Sequence, residues 1–127
     1  SIKKRYVALL DGDKRIADSG QISLPLYSDP FDRPYQKVDI FKGKKAETEY
    51  AVIGVGKGIT RVELFPTTGR THQLRVHCAH PLGLGMPIRG DRLYGYGGDR
   101  LHLHAESITF KHPETGKTIT FHAKEVF

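Results

Sequence analysis

The sequence predicts an α+β domain, a mostly antiparallel mixed sheet that carries one short key helix. Three observations predict it. Apolar and polar residues alternate in several runs of strand length, and turns marked by glycine or proline separate those runs at hairpin spacing. Between two of the hairpins, the stretch from Phe65 to His77 halts at Pro66, turns at Gly69 and enters a donor-rich helix.

Arg5 to Leu10 reads as the first strand, with Tyr6 and Ala8 on one face, and Asp11-Gly12-Asp13 as its turn. Ile16 to Leu26 is weakly extended and ends near Pro25. Ser28 to Tyr35 reads as a loop, because Asp29, Pro30, Asp32 and Pro34 discourage regular structure. Lys37, Lys42, Lys44 and Lys45 make a basic stretch. Thr48, Tyr50 and Val52 alternate with Glu47, Glu49 and Ala51; Gly54, Gly56 and Gly58 read as a flexible connection. Thr60, Val62 and Leu64 then alternate with Arg61, Glu63 and Phe65, completing a long hairpin. The helix is expected to start near Thr71, whose hydroxyl is placed to cap it, and to end before Pro81. Leu82 to Gly98 holds no continuous element. Leu101, Leu103 and Ala105 mark another strand, and Ile108-to-Phe110 and Ile119-to-Phe121 flank a turn with Pro113 and Gly116. There is no internal repeat and no low-complexity tract.

At 127 residues the chain fits one domain. Its 20 Lys and Arg against 14 Asp and Glu give a net charge of +6, which favours a nucleic-acid or other acidic partner over a plainly solvated basic surface. Cys78 is the single cysteine, so an internal disulfide is excluded and a reducing, cytoplasmic setting is expected. No apolar run is long enough to span a bilayer, and no signal peptide is legible. Ser1 is followed at once by a strand-like run, which suggests a chain cut from something longer.

Arg70, His72, Gln73, Arg75 and His77 crowd two helical turns, while Leu74 and Cys78 supply an apolar side. Charged hydrogen bonds are the strong ones, so this face reads as the floor of a polyanion site rather than a face that only meets solvent. The amides at the helix start favour an anion, and Arg75 presents a planar fork suited to a carboxylate. Tyr6 taken alone reads as half-buried packing. His77 with His80, and His102 with His104, have the spacing of metal-ligand pairs. No carboxylates cluster with them and neither HExxH nor paired cysteines occur, so no metal is expected. Asp91 reads as a turn residue that receives backbone hydrogen bonds. No serine sits in a nucleophile elbow.

Four ordered motifs carry a resemblance: Lys4-Arg5-Tyr6-Val7-Ala8, Gly69-Arg70-Thr71-His72-Gln73-Leu74-Arg75-Val76-His77, Pro87-Ile88-Arg89-Gly90-Asp91-Arg92-Leu93-Tyr94 and Leu101-His102-Leu103-His104-Ala105. Together they resemble the C-terminal portion of the catalytic domain of the RluA-type RNA pseudouridine synthases, across nearly all of residues 1–127. The segment His80 to Gly85 is longer than the usual family spacing. The resemblance implies isomerisation of uridine to pseudouridine in ribosomal or transfer RNA, with no cofactor and with neither DNA nor membrane as partner. By resemblance Tyr6 packs on the target base and helps take its C5 proton. Arg75 pairs with the essential aspartate, and Leu74 lines the uracil pocket. Arg70, Thr71, His72 and Gln73 support the RNA backbone or the pocket wall.

The family's nucleophilic aspartate stands in a His-Arg-Leu-Asp motif upstream of the tyrosine strand, and this sequence has no such motif. None of Asp11, Asp13, Asp29, Asp32 or Asp91 stands in that context, so the chain alone is expected to be inactive. A sheet missing its other half leaves an edge or an apolar face bare, and a homodimer is the expected response. Two alternatives remain: a non-catalytic RNA-binding module using the basic central helix, and a metal enzyme built on the histidines.

Overall fold

A computed structural model describes residues 3–122; Ser1 and Ile2 lie outside them. In chain order the elements are β1 (Lys3–Asp11), β2 (Ser19–Ser23), β3 (Leu26–Ser28), β4 (Gln36–Val38), β5 (Glu47–Gly56), β6 (Ile59–Pro66), α1 (Gln73–Ala79), β7 (Leu103–Lys111) and β8 (Thr118–His122). Six strands form one sheet in the order β2-β5-β6-β1-β7-β8, and β3 pairs with β4 in a small second sheet. Every described pairing is antiparallel.

The alternation read from the sequence sets the register. Tyr6, Ala8 and Leu10 on β1 face Leu64, Val62 and Thr60 on β6, so one face of the sheet is apolar along its middle. Against it pack Leu74 and Cys78 from α1, with Leu84, Met86 and Ile88 from the following segment. On its other side α1 buries Val76 with Leu26 and Ala46, against Val38 and Tyr94. A helix of seven residues has no stability of its own; this one holds because it is clamped between the large sheet and the β3–β4 hairpin.

The loop expected from Ser28 to Tyr35 is present as the tip of the β3–β4 hairpin, whose three-residue strands are too short to show a period. Two local readings are corrected. Gly54 and Gly56 do not break β5, which runs on past a register shift between Val52 and Gly54 to a tight turn at Lys57 and Gly58. The helix begins at Gln73, two residues later than expected, and Thr71 does not cap it. His72 precedes it in the left-handed region, at φ 56, without a side-chain cap.

Candidate active site

A bulge between Arg5 and Tyr6, where β1 meets β7, turns Arg5 to the side of Glu106 and Glu63, and both carboxylates pair with its guanidinium. Lys4 and Tyr6 lie on the opposite face and line a cleft of about 530 Å3. Its other walls are Pro66 to Arg70, then His72, Gln73, Leu74 and Arg75, with Leu103 from β7. The volume falls in the range of small-ligand sites. Tyr6 and Arg75, 69 residues apart by number, therefore share one hollow, which Leu74 also lines.

Arg75 is held firmly. Its Nε donates to Asp91 Oδ2 at 3.0 Å and its Nη2 to Asp91 Oδ1 at 2.7 Å, a bidentate pair. Asp91 is fully buried, and its Oδ1 also accepts the amides of Leu93 and Tyr94. Burial pushes the Asp91 carboxyl up, but the Arg75 hydrogen bond and these two amides outweigh it and hold it below the usual carboxylate range. The same hydrogen bond raises Arg75. The Nε–Nη2 edge of Arg75 is thus taken by Asp91, a partner that the sequence reading of Arg75 did not name.

Tyr94 ties the site together. Its hydroxyl accepts the Gln36 amide at 2.8 Å and lies 2.8 Å from His72 Nδ1; its ring stands 5.5 Å from the Arg75 guanidinium carbon. His72 and Tyr35 both meet that ring edge-on. Burial, and then the neighbouring Arg75 charge, lower the pKa of His72, which favours a neutral imidazole beside the guanidinium.

Gln73 is a builder and not a contact residue. Its Oε1 accepts the Thr68 hydroxyl and the Arg70 amide, and its Nε2 donates to the Glu47 carbonyl and to Thr48 Oγ1. With all four bonds made inside the protein, it supports the wall and is not free to hold RNA. Thr71 falls outside the cleft, in a second hollow behind Arg70. Arg70 borders both, pinned by its Nε to the Lys45 carbonyl at 2.8 Å.

Three of the four paired histidines, His77, His80 and His102, have structural work. His77 is buried, with Nδ1 2.9 Å from Thr48 Oγ1 and Nε2 3.0 Å from the Leu24 carbonyl. A carbonyl only accepts, so the Nε2 carries the proton and Nδ1 takes the threonine hydroxyl. Burial lowers the His77 pKa. His80 Nδ1 accepts the Leu82 amide, and His102 precedes β7 beside the Arg89 carbonyl. Among the described residues no group of three or more His, Cys, Asp or Glu is placed to hold a metal.

Sequence reasoning brought Tyr6, Arg70, His72, Gln73, Leu74 and Arg75 to one place and missed Lys4, Leu103 and Tyr94. The alternation Lys4–Tyr6 was a readable signal for Lys4. For Tyr94 none existed short of the fold.

The sequence model of a family described as RNA pseudouridylate synthase matches residues 1–80. The chain is 44% identical to the "Dual-specificity RNA pseudouridine synthase RluA" of Haemophilus influenzae, covering 98% of this chain and 58% of that protein. It is 47% identical to the protein of the same name from Escherichia coli (strain K12), with the same coverage of 98% and 58%. Among solved structures, "Human RNA Pseudouridylate Synthase Domain Containing 1" superposes with a TM-score of 0.80 at 28% identity, over 97% of this chain and 54% of that one. "Human RNA Pseudouridylate Synthase Domain Containing 4", at 23% identity and a TM-score of 0.75 over 98% of this chain and 58% of its own, shares the fold. The chain thus spans a little over half the length of the relatives it matches.

Proposed function

Because the chain belongs to the RNA pseudouridylate synthase family, we propose that its cleft receives a uridine turned out of ribosomal or transfer RNA for isomerisation to pseudouridine. The observation that carries this reading is the meeting of Tyr6, Leu74 and Arg75 in one hollow with Lys4 and Arg70 beside them. A base inside folded RNA must leave its stack before its sugar can be reached, and an aromatic ring replaces the lost stacking. Tyr6 supplies that ring, Leu74 an apolar wall, and Arg75 a guanidinium fixed by Asp91 next to the reacting sugar and base. Lys4 and Arg70 meet the phosphates.

No carboxylate lines the cleft among the described residues. That favours a second reading in which these 127 residues bind RNA and do not turn it over. Tritium release from RNA labelled at uridine C5 separates the two: turnover by this chain alone overturns the binding-only reading. Binding of a uridine-containing stem-loop is expected in either case. Tyr6→Leu should weaken it by about 5- to 150-fold, the worth of one stacked base, and an unchanged affinity would remove Tyr6 from the site.

A homodimer through the sheet is also proposed. β2 and β8 are the outer strands, and Ile108 and Phe121 near the second are exposed. Light scattering at high concentration showing a clean monomer would exclude it.

A further inference from the structure

Behind Gly69 and Arg70 the surface drops into a trough of about 430 Å3, walled by Leu26, Tyr27, Lys42, Lys44 and Thr71 among others. It shares Gly69 and Arg70 with the cleft, so one unbroken surface runs from Tyr6 to the lysines. Among the described residues no Asp or Glu lines it. The neighbouring cations are neutralised: Lys37 pairs with Asp29 and Asp32, and Lys45 with Glu47. Lys42, with Asp39 and Asp29 in its neighbourhood, lines the hollow together with Lys44 and Arg70.

These three cations sit on a braced frame. The Lys42 ammonium lies 5.6 Å from the centre of the Tyr27 ring. Asp39 Oδ1 accepts the amides of Phe41 and Lys42, and the Gly43 amide donates to the Asp39 carbonyl, which closes the turn. A Cβ on Gly43 would stand 2.3 Å from that carbonyl oxygen and 2.8 Å from Pro25, so the turn admits only glycine there. Lys44 is tied through its own amide and carbonyl to Leu26. The lysines are thus presented by fixed backbone, and little ordering is left for a ligand to impose.

We propose that this trough is the subsite for the phosphodiester strand flanking the nucleotide in the cleft, with Lys42 and Lys44 each neutralising one phosphate and Arg70 at the junction. The inference rests on the cleft being an RNA site. Continuity with the cleft favours the strand over an acidic protein segment, which would have no reason to run on toward Tyr6. Neutralising a phosphate of a single strand releases a condensed cation, so each such contact adds about 0.7 to the slope of log affinity against log salt.

Fluorescence anisotropy with a labelled single-stranded RNA, across a series of KCl concentrations, tests it. Lys42→Ala/Lys44→Ala should lower the slope by about 1.4 relative to the unmodified chain. Lys57→Asn, at the far turn where φ is 54 and asparagine is tolerated, should leave it unchanged. Tyr6→Leu should weaken binding at every salt concentration while keeping the slope. If the unmodified chain binds RNA and the double variant keeps the full slope, the trough proposal is overturned and the cleft reading stands. Polyglutamate bound in a Lys42- and Lys44-dependent way, with the RNA slope unmoved, overturns it in favour of an acidic protein partner. Absence of salt-sensitive RNA binding by the unmodified chain overturns the cleft reading, and the inference goes with it.

Discussion

Asp91→Asn is the most informative single change. The carboxylate is fully buried, and Arg75, whose side chain is 20% exposed, has both donors of one edge committed to it. The substitution keeps the shape and removes the charge, and it turns an amide donor toward groups that themselves donate. Breaking a buried pair from one side costs about 3–5 kcal/mol; the low end is appropriate, because water reaches the rim of Arg75. With about 2.1 cal/mol/K per residue of unfolding entropy, a loss of about 3 kcal/mol lowers the midpoint by roughly 11 °C for a chain of this size. Differential scanning calorimetry reads it directly. Arg75→Met should also destabilise, and Arg75→Met/Asp91→Leu should lose less than the sum of Arg75→Met and Asp91→Leu by more than about 0.5 kcal/mol. A midpoint within about 2 °C of the parent for Asp91→Asn, together with additive variants, would refute the claim that this pair fixes the guanidinium.

Two further outcomes follow from the surroundings. His77 has a pKa lowered by burial, below the value of about 6.5 that it takes in the unfolded chain. Its stabilising share is complete above that pH and is lost as pH falls through the folded value, because the unfolded chain then binds the extra proton. Urea unfolding should show stability falling below about pH 6.5, with His77→Gln flattening that dependence; parallel curves for the two proteins would exclude His77 as the carrier. Tyr94→Phe removes the acceptor of the Gln36 amide and the partner of His72, and should cost about 1–2 kcal/mol in the same assay. No measurable loss would mean that the phenol is not a structural hub.

Where one physical rule acted alone, the sequence was legible. The β5–β6 hairpin was readable because one face is buried and two-residue alternation is what burial of one face requires. The strand pair β3–β4 was not, since three residues cannot show a period and its tip is crowded with Pro30 and Pro34. The helix start was misread because a threonine before an apolar turn has the look of a cap. The chain instead enters through left-handed His72, while Gln73 satisfies the Arg70 amide from inside. Asp91 shows the remaining difficulty. Its role as a turn acceptor was readable from Gly90-Asp91-Arg92-Leu93-Tyr94, but its second role depends on Arg75 arriving from another element, which local pattern does not contain.

The clamping of α1 between two sheets bears on how the molecule breathes. A segment this short has no partly open state in which it stays wound while its neighbours leave. Its amides should therefore exchange with solvent only when the β3–β4 arm lifts or the whole domain opens. The wall that holds Leu74 and Arg75 and the flank that holds Lys42 and Lys44 would then be gained or lost as one cooperative unit.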